Sequence, residues 1–449
     1  MKAADAGFIL RCHTSYKIVY NFVRGGERTM LSLTYEYKAM PTNEQIQQIE
    51  HTLTVCRKVW NFALRERKDW LNSRKCPINS CSIISEYITP ADVPYPNYYE
   101  QANALTRAKA EFPELATVHS QVLQQVLRKL ETAFVDMSRK KMGFPRFKNK
   151  YRMRSFVYPQ LGKGQVLKDN QIKLPQLGWM EYVKSREIPN GFKVKQVRVV
   201  RKASGYFLML TLECDVNVPD TVASGHPRGI DLGLDKFAAT SDGELIERPR
   251  FLNTLHRKLK LLQRRLKNKQ KGSNNRHKLN RKIARLHQRI SDTRKNWHFK
   301  LAHKLCNDAG MMFVEDIDFR TWAKGMLGKH TLDAGFGQFV EILKWVCWKR
   351  GVYFDKVHKD YTSQVCPQCD THTGKKELKD RIHSCQSCGY TTHRDVASAQ
   401  VIRNRGVNAL GRSVEENACG DGLAGTGNRL VKSQRSKKKG GEARLKPAS

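Results

Sequence analysis

The sequence predicts an α+β protein of several domains, with a small metal-binding module inserted near the C-terminal end. Three observations predict it. The chain has 449 residues, enough for two or three domains that each bury a core. Its apolar periodicity changes between helical and strand-like stretches on both sides of a Pro/Gly-rich break at residues 216–229. Two Cys-x2-Cys pairs stand late in the chain, separated by 15 residues.

Composition narrows the partners. There are 81 Lys and Arg against 42 Asp and Glu, a formal net charge of +39. Such a chain repels itself unless it meets a polyanion, and nucleic acid is the usual one. The plainer alternatives are charge kept for solubility or for acidic lipid; the spread of the charge along the chain speaks against a juxtamembrane cluster. No stretch reaches the ~18 apolar residues of a membrane span, and Phe8-Ile9-Leu10 is too short an apolar run for a signal peptide. The expectation is an intracellular protein with no membrane partner. Its cysteines are then reduced, and clustered ones point to metal.

Residues 1–29 end in the loop-like Gly25-Gly26-Glu27-Arg28 and read as an N-terminal extension or a disordered arm. Met30 opens the alternation Leu31-Ser32-Leu33-Thr34-Tyr35-Glu36-Tyr37, a half-buried strand. Thr42 with Gln45 marks a helix start. Ile46, Ile49, Leu53, Cys56, Trp60 and Ala63 then form one helical face. Residues 75–100 read as a long irregular loop. A second helix carries Val122, Val126, Leu130, Ala133 and Met137 on one side. From about 165 to 214 the pattern is strands, with Val194, Val197 and Val199 leading to a Ser204-Gly205 turn and a return strand, Tyr206 to Cys214.

Residues 251–305 form a basic helical hairpin. Leu252, Leu255, Leu259, Leu262 and Leu266 make one stripe, and Leu279, Ile283, Leu286 and Ile290 the other, with Lys271 to Asn275 between them. Asp292 is the one acidic residue between 251 and 304. A merely solvated face would mix signs, so Arg264, Arg265, Arg281 and Lys282 are candidate phosphate contacts. From about 413 the chain is rich in Gly, Ser and Lys, including Lys437-Lys438-Lys439, and reads as a disordered basic tail.

Cys366, Cys369, Cys385 and Cys388 can place four thiolates tetrahedrally about one Zn2+. No open position is needed, so the site reads as structural. Lys375, Lys376, Lys379 and Arg381 between the pairs suggest that this module also touches nucleic acid.

Three acids stand in ordered contexts: Asp231 within Gly229-Ile230-Asp231-Leu232-Gly233-Leu234, Glu315 at the end of Met311-Met312-Phe313-Val314, and Asp395 at the head of a helix. Singly, each could be a cap or turn residue. A carboxylate inside an apolar strand is costly without a partner, and a cation is a good one. Mg2+ takes hard oxygen ligands, and two such ions ~3.5–4 Å apart can cut a phosphodiester. No Ser/His/Asp set and no Walker loop competes with them.

These residues resemble the TnpB family, insertion-sequence-encoded RNA-guided nucleases related to the type V CRISPR effectors. Gly229 to Ala238 with Ser241-Asp242-Gly243 is similar to its first RuvC motif, and Val314-Glu315-Asp316 to the second. Thr362-Ser363-Gln364 before Cys366 and Arg394-Asp395 after the cysteines resemble its zinc ribbon and third motif. Gly143-Phe144-Pro145-Arg146-Phe147-Lys148, Leu123 to Leu127, and Leu174-Pro175 with Leu177-Gly178 resemble its N-terminal half, so that the likeness covers about 30–412. It implies a RuvC/RNase H-like α/β nuclease core with an inserted zinc ribbon, preceded by a wedge-type β-barrel with a helical recognition insertion. The implied layout is an extension (1–29), the wedge barrel with its recognition module (30–226, helices about 42–140), the RuvC-like domain (227–365), the ribbon (366–388), the last RuvC part (389–412) and the tail (413–449).

By the same resemblance Asp231, Glu315 and Asp395 bind Mg2+ as catalytic acids, the four cysteines hold Zn2+, and the chain takes a guide RNA, reads a short target-adjacent motif and cuts target DNA. Lys140, Lys141, Phe144, Arg146 and Lys148 are candidates for its channel or else a charged turn. Gln124 is a candidate base reader or else a surface amide. The family is typically bacterial or archaeal, which implies a cytoplasmic, nucleoid-associated protein. Other classes remain: a type V effector, a guided DNA-binding repressor that does not cut, or a transposase acting without a guide. Oligomeric state is not legible. Three positions depart from the family pattern. Asp370 follows the second cysteine where Gly is usual, Ala397 stands where Asn is frequent, and His393 precedes Arg394 where Asp is common.

Overall fold

The computed structural model describes residues 30–75, 89–90, 92–162, 164–215, 221–377 and 380–411. The N-terminal extension, the C-terminal tail, most of the stretch read as an irregular loop, residues 216–220 of the break, and Lys379 lie outside the described residues.

The N-terminal half comprises β1 (Met30–Met40), α1 (Asn43–Lys75), α2 (Tyr98–Glu111), α3 (Pro113–Ala116), α4 (Ser120–Arg139), β2 (Ser155–Tyr158), β3 (Leu167–Lys168), β4 (Gln171–Leu174), β5 (Gly178–Val183), β6 (Lys193–Lys202) and β7 (Gly205–Asp215). The strands form one seven-stranded antiparallel sheet in the order β2-β6-β7-β1-β5-β4-β3. The alternation read from Met30 sets the register of β1: Tyr35, Tyr37 and Ala39 turn into the core, with Tyr35 opposite Leu210 and Ala39 opposite Tyr182. Against that face pack α1, through Ile49, Leu53, Cys56, Trp60 and Ala63, and α4, through Val122, Val126 and Leu130. Thr42 and Gln45 form the reciprocal cap at the start of α1, at 3.1 and 3.3 Å.

Helix α2 begins inside the stretch read as irregular. Asn97 and Glu100 cap it reciprocally, but it buries a polar side chain, Gln101, which binds the buried Arg67 of α1 at 3.0 Å. Tyr98, Ala102 and Leu105 of α2 also pack on the core, but this apolar stripe is short and only half-buried.

The second half comprises β8 (Pro227–Leu232), β9 (Lys236–Thr240), β10 (Leu245–Glu247), α5 (Asn253–Lys267), α6 (Asn274–Leu305), β11 (Met311–Glu315), α7 (Phe319–Lys324), α8 (Gly328–Ala334), α9 (Phe336–Arg350), β12 (Tyr353–Val357), β13 (Ile382–Ser384), β14 (Thr391–His393) and α10 (Arg394–Ala409). Its five-stranded sheet runs β10-β9-β8-β11-β12, with β8, β11 and β12 parallel and β9 and β10 antiparallel. Helices cover both faces. Met312 and Val314 of β11 face the core shared with α6 and α9, while Met311 and Phe313 face Ile402 and Val407 of α10. Burial on both sides explains the unbroken apolar run before Glu315.

Two glycines let α10 lie flat on the sheet. A Cβ on Gly229 would stand 2.1 Å from the Ala399 carbonyl oxygen, and one on Gly406 would stand 2.2 Å from the Phe313 ring. Helices α5 and α6 form the basic hairpin, closed by Leu259, Leu262 and Leu286. It meets the first half where Gln288 donates to Ser204 Oγ at 2.8 Å, Arg285 donates to the Ala203 carbonyl at 3.2 Å, and Tyr151 contacts His277 at 2.8 Å. Among the described residues no helix is long and apolar enough to cross a membrane.

Candidate active site and metal centre

Register brings the acids together. In β8, Asp231 shares a face with Gly229, the face on which α10 lies. In β11, Glu315 shares a face with Met311 and Phe313, which also turn to α10. Phe313 pairs with Gly229 and Val314 with Ile230, so Glu315 stands one step further on, beside Asp231. The first turn of α10 adds Asp395.

Their electrostatics follow from that crowding. Burial, then the charges of Glu315 and Asp395, push the Asp231 carboxyl well above the usual carboxylate range, and Arg394 opposes them. Burial also raises Glu315, against a hydrogen bond from Thr362 and the nearby Arg405 and Lys359. A dehydrated carboxylate repelled by two others is a site short of positive charge, and the acids fit a divalent cation.

The four cysteines do form a cage. Cys366 Sγ lies 3.7 Å from Cys388 Sγ, and Cys369 Sγ 3.6 Å from Cys385 Sγ. Zn–S bonds of ~2.3 Å in a tetrahedron place sulfurs about 3.8 Å apart, so the residues present fit zinc. Each knuckle is closed by a backbone bond, from Asp370 N–H to the Cys366 carbonyl (3.1 Å) and from Gly389 N–H to the Cys385 carbonyl (2.9 Å). Both closing residues have left-handed backbone, Asp370 at φ +54° and Gly389 at φ +74°. Asp is among the few non-glycine residues that tolerate this conformation, which accounts for its standing where glycine is usual. The thiol of Cys369 is drawn down to about 6, first by Thr371. His393 has a role too: its Nδ1 accepts from the Asp395 N–H at 3.2 Å, capping α10 as an aspartate would.

The remaining candidates are scattered over two surfaces. Arg264, Arg265, Arg281 and Lys282 are all exposed on the hairpin. Phe144 and Arg146 are exposed on a linker fixed to α1, where Trp60 Nε1 donates to the Arg146 carbonyl at 3.1 Å. Lys141 is exposed, and Lys140 pairs with Asp136 at 2.7 Å. Gln124 is half-buried on α4. Lys148 differs from the others: its ammonium lies 3.1 Å from the centre of the Trp60 ring, and burial, then Lys129, lowers it to about 7. It packs against Trp60 of α1 rather than standing free. Sequence reasoning quoted Thr362 only as part of a motif and missed its bond to Glu315. It also missed Asn404, whose amide donates to the Pro367 carbonyl at 2.7 Å and ties the cysteine module to α10. No sequence signal announces either pairing.

The chain is similar to known proteins over most of its length. Residues 211–325, which include Asp231 and Glu315, match a family described as "Probable transposase", and residues 336–402 match the "Cas12f1-like, TNB domain". Residues 30–76 match a "Helix-turn-helix domain", although here they fold as the strand β1 and the single helix α1. The chain is 30% identical to "Putative RNA-guided DNA endonuclease InsQ" of Escherichia coli strain K12, over 86% of this chain and 94% of that protein. It is 29% identical to a "Putative RNA-guided DNA endonuclease" of Streptomyces pristinaespiralis, over 87% and 91% respectively. Its fold is similar to that of a chain in a Cas12f1-sgRNA-target DNA complex, with a TM-score of 0.50 and 14% identity over 80% of this chain and 83% of that one. With its motifs in order and nearly a full-length relative matched, the chain belongs to the TnpB family.

Proposed function

We propose that the chain is an RNA-guided DNA endonuclease: it holds a guide RNA derived from a transposon end, reads a short motif beside its target and hydrolyses target DNA. The observation that carries this reading is the convergence of Asp231, Glu315 and Asp395 from β8, β11 and α10, where the charges of the other two acids act on the buried Asp231 carboxyl. The names of the relatives supply the substrate class. On this reading the five-stranded sheet with α6, α9 and α10 is an RNase H-like (RuvC-type) core, the cysteine module is a zinc ribbon, and the seven-stranded sheet with α1 to α4 is the wedge barrel with its recognition insertion.

Mg2+ bound between the acids would supply an activated water and charge neutralisation at the leaving 3′ oxygen. The chain's own residues do the rest. Asp231, Glu315 and Asp395 present oxygen ligands from three rigid elements. Thr362 holds one Glu315 oxygen by a donated hydrogen bond. Arg394 and Arg405 offset the charge of the acids. The exposed cations of the hairpin and of the linker at 140–146 give phosphates a surface that needs no sequence preference, because base pairing to a guide would supply it. Such a protein would work beside the nucleoid in a bacterial or archaeal cytoplasm.

Sequencing the RNA that co-purifies with the protein expressed from its own locus tests the proposal. One dominant RNA from the transposon end, able to direct plasmid cleavage when its 3′ portion is reprogrammed, is the expected result. An RNA from a repeat array would make the chain a type V effector. Absence of any enriched RNA, with strand-transfer products on transposon ends, would replace the proposal by the transposase that the family description names.

A further inference from the structure

We propose that the cysteine ribbon is the clamp of the acidic site: Thr362 at its entrance and His393 at its exit are positioning residues for Glu315 and Asp395, so that zinc on the four sulfurs governs how tightly the acids take a divalent metal. The proposal rests on reading the three acids as a metal site.

The entrance comes first. Thr362 is buried, four residues ahead of Cys366, and its hydroxyl donates to Glu315 Oε1. The segment after it is tied to the first knuckle: Thr373 N–H donates to the Gln364 carbonyl at 2.7 Å, and Cys366 N–H to the Thr371 carbonyl at 2.9 Å. At the exit, Cys385 N–H donates to the Tyr390 carbonyl at 3.0 Å, closing the second knuckle, and β14 then runs straight into α10. Strand β14 pairs with β13, Ile382 opposite His393, and Arg394 N–H donates to the Arg381 carbonyl at 2.8 Å. His393 Nδ1 accepts from the Asp395 N–H and lies 4.0 Å from Asp395 Oδ2. The two ends of the module therefore each carry the side chain that orients one acid.

The module has little besides metal to hold its own two knuckles together. Between Cys366 and His393 the buried residues, among those described, are Cys366, Pro367, His383 and Cys385, which is no apolar core. A module of this size without a core takes its folding free energy from its metal. The strap from Asn404 to Pro367 fastens the module to α10, and Arg405 holds the approach to Thr362 through the carbonyls of His358 (3.0 Å) and Asp360 (2.7 Å). Loss of zinc would free both knuckles, and with them the hydroxyl on Glu315 and the cap beneath Asp395.

The test measures Mn2+ binding to the full-length, zinc-loaded protein by electron paramagnetic resonance. Thr362→Val keeps the shape and removes the hydroxyl; Thr362→Ser keeps the hydroxyl. His393→Ala removes the cap; His393→Asn keeps an acceptor. Partners of metal ligands set affinity by roughly 10–100-fold. Thr362→Val and His393→Ala should each weaken Mn2+ by about that factor with zinc content unchanged, and Thr362→Ser and His393→Asn should restore it. Chelating the zinc from the wild type should weaken Mn2+ as far. Wild-type Mn2+ affinity in Thr362→Val, His393→Ala and the zinc-stripped protein would overturn the clamp alone. A wild type with no Mn2+ site that Asp231→Asn removes would overturn the reading of the acids, and the clamp with it.

Discussion

At the scale of single residues, the site is a contest between protons and metal for the same oxygens. Burial raises both Asp231 and Glu315, and the charges of Glu315 and Asp395 raise Asp231 further, so the folded protein holds their protons more tightly than an unfolded chain would. The sign follows: ionising them costs stability as pH rises through the raised range, and a bound cation relieves that cost. The half-saturating Mg2+ concentration for cleavage should therefore fall as pH rises from about 5, then level off above the raised carboxylate range. A half-saturation indifferent to pH would count against these acids as ligands. Asp231 and Glu315 stand out in the sequence because an ionisable group within or at the end of an apolar strand is a local anomaly, whereas Asp395, at a helix start, stands out through the family resemblance. Thr362 and Lys148 do not. One gains its role, and the other loses its freedom, through residues far away in the chain, Glu315 and Trp60.

At the scale of elements, close approach decides whether the acids meet. Gly229 has no room for a methyl group beneath α10. Gly229→Ala should lift the helix, costing about 1–3 kcal/mol as overpacking does, and should lower cleavage and thermal midpoint together; a full-activity variant would mean that the seat of α10 is not critical. The knuckle at Asp370 makes the opposite prediction. Its φ of +54° is a conformation that glycine adopts freely. Asp370→Gly should stabilise the zinc-bound module by about 0.5–1 kcal/mol, read as a higher chelator concentration for half-release of zinc. The strand β1, helices α1 and α4 and the hairpin could be read from periodicity, because each buries a regular apolar face, whereas β11, buried on both sides, shows only as an unbroken apolar run. Helix α2 was not read, because its apolar stripe, Tyr98, Ala102 and Leu105, is short and half-buried, and its buried side chain is the polar Gln101 bound to Arg67.

At the scale of the whole molecule, charge and connectivity set the function. A net charge of +39 on 449 residues implies that many phosphates are neutralised on binding. Nucleic-acid affinity should fall steeply with salt. Replacing Arg264, Arg265, Arg281 and Lys282 with alanine should flatten that dependence by a slope of about 1 per lost phosphate contact; an unchanged slope would move the binding surface off the hairpin. The division into two sheet-based halves was visible in the pattern changes around residues 216–229. The docking of the hairpin on Ser204 was not, since it depends on polar contacts between segments 84 residues apart.

The most direct measurement compares wild type with Asp231→Ala, each carrying its guide RNA, on one matched DNA target in Mg2+, following cleavage and target binding in parallel. Cleavage lost with RNA and target binding retained is the predicted result. Cleavage that survives the substitution would contradict the assignment of the chemistry to these three acids.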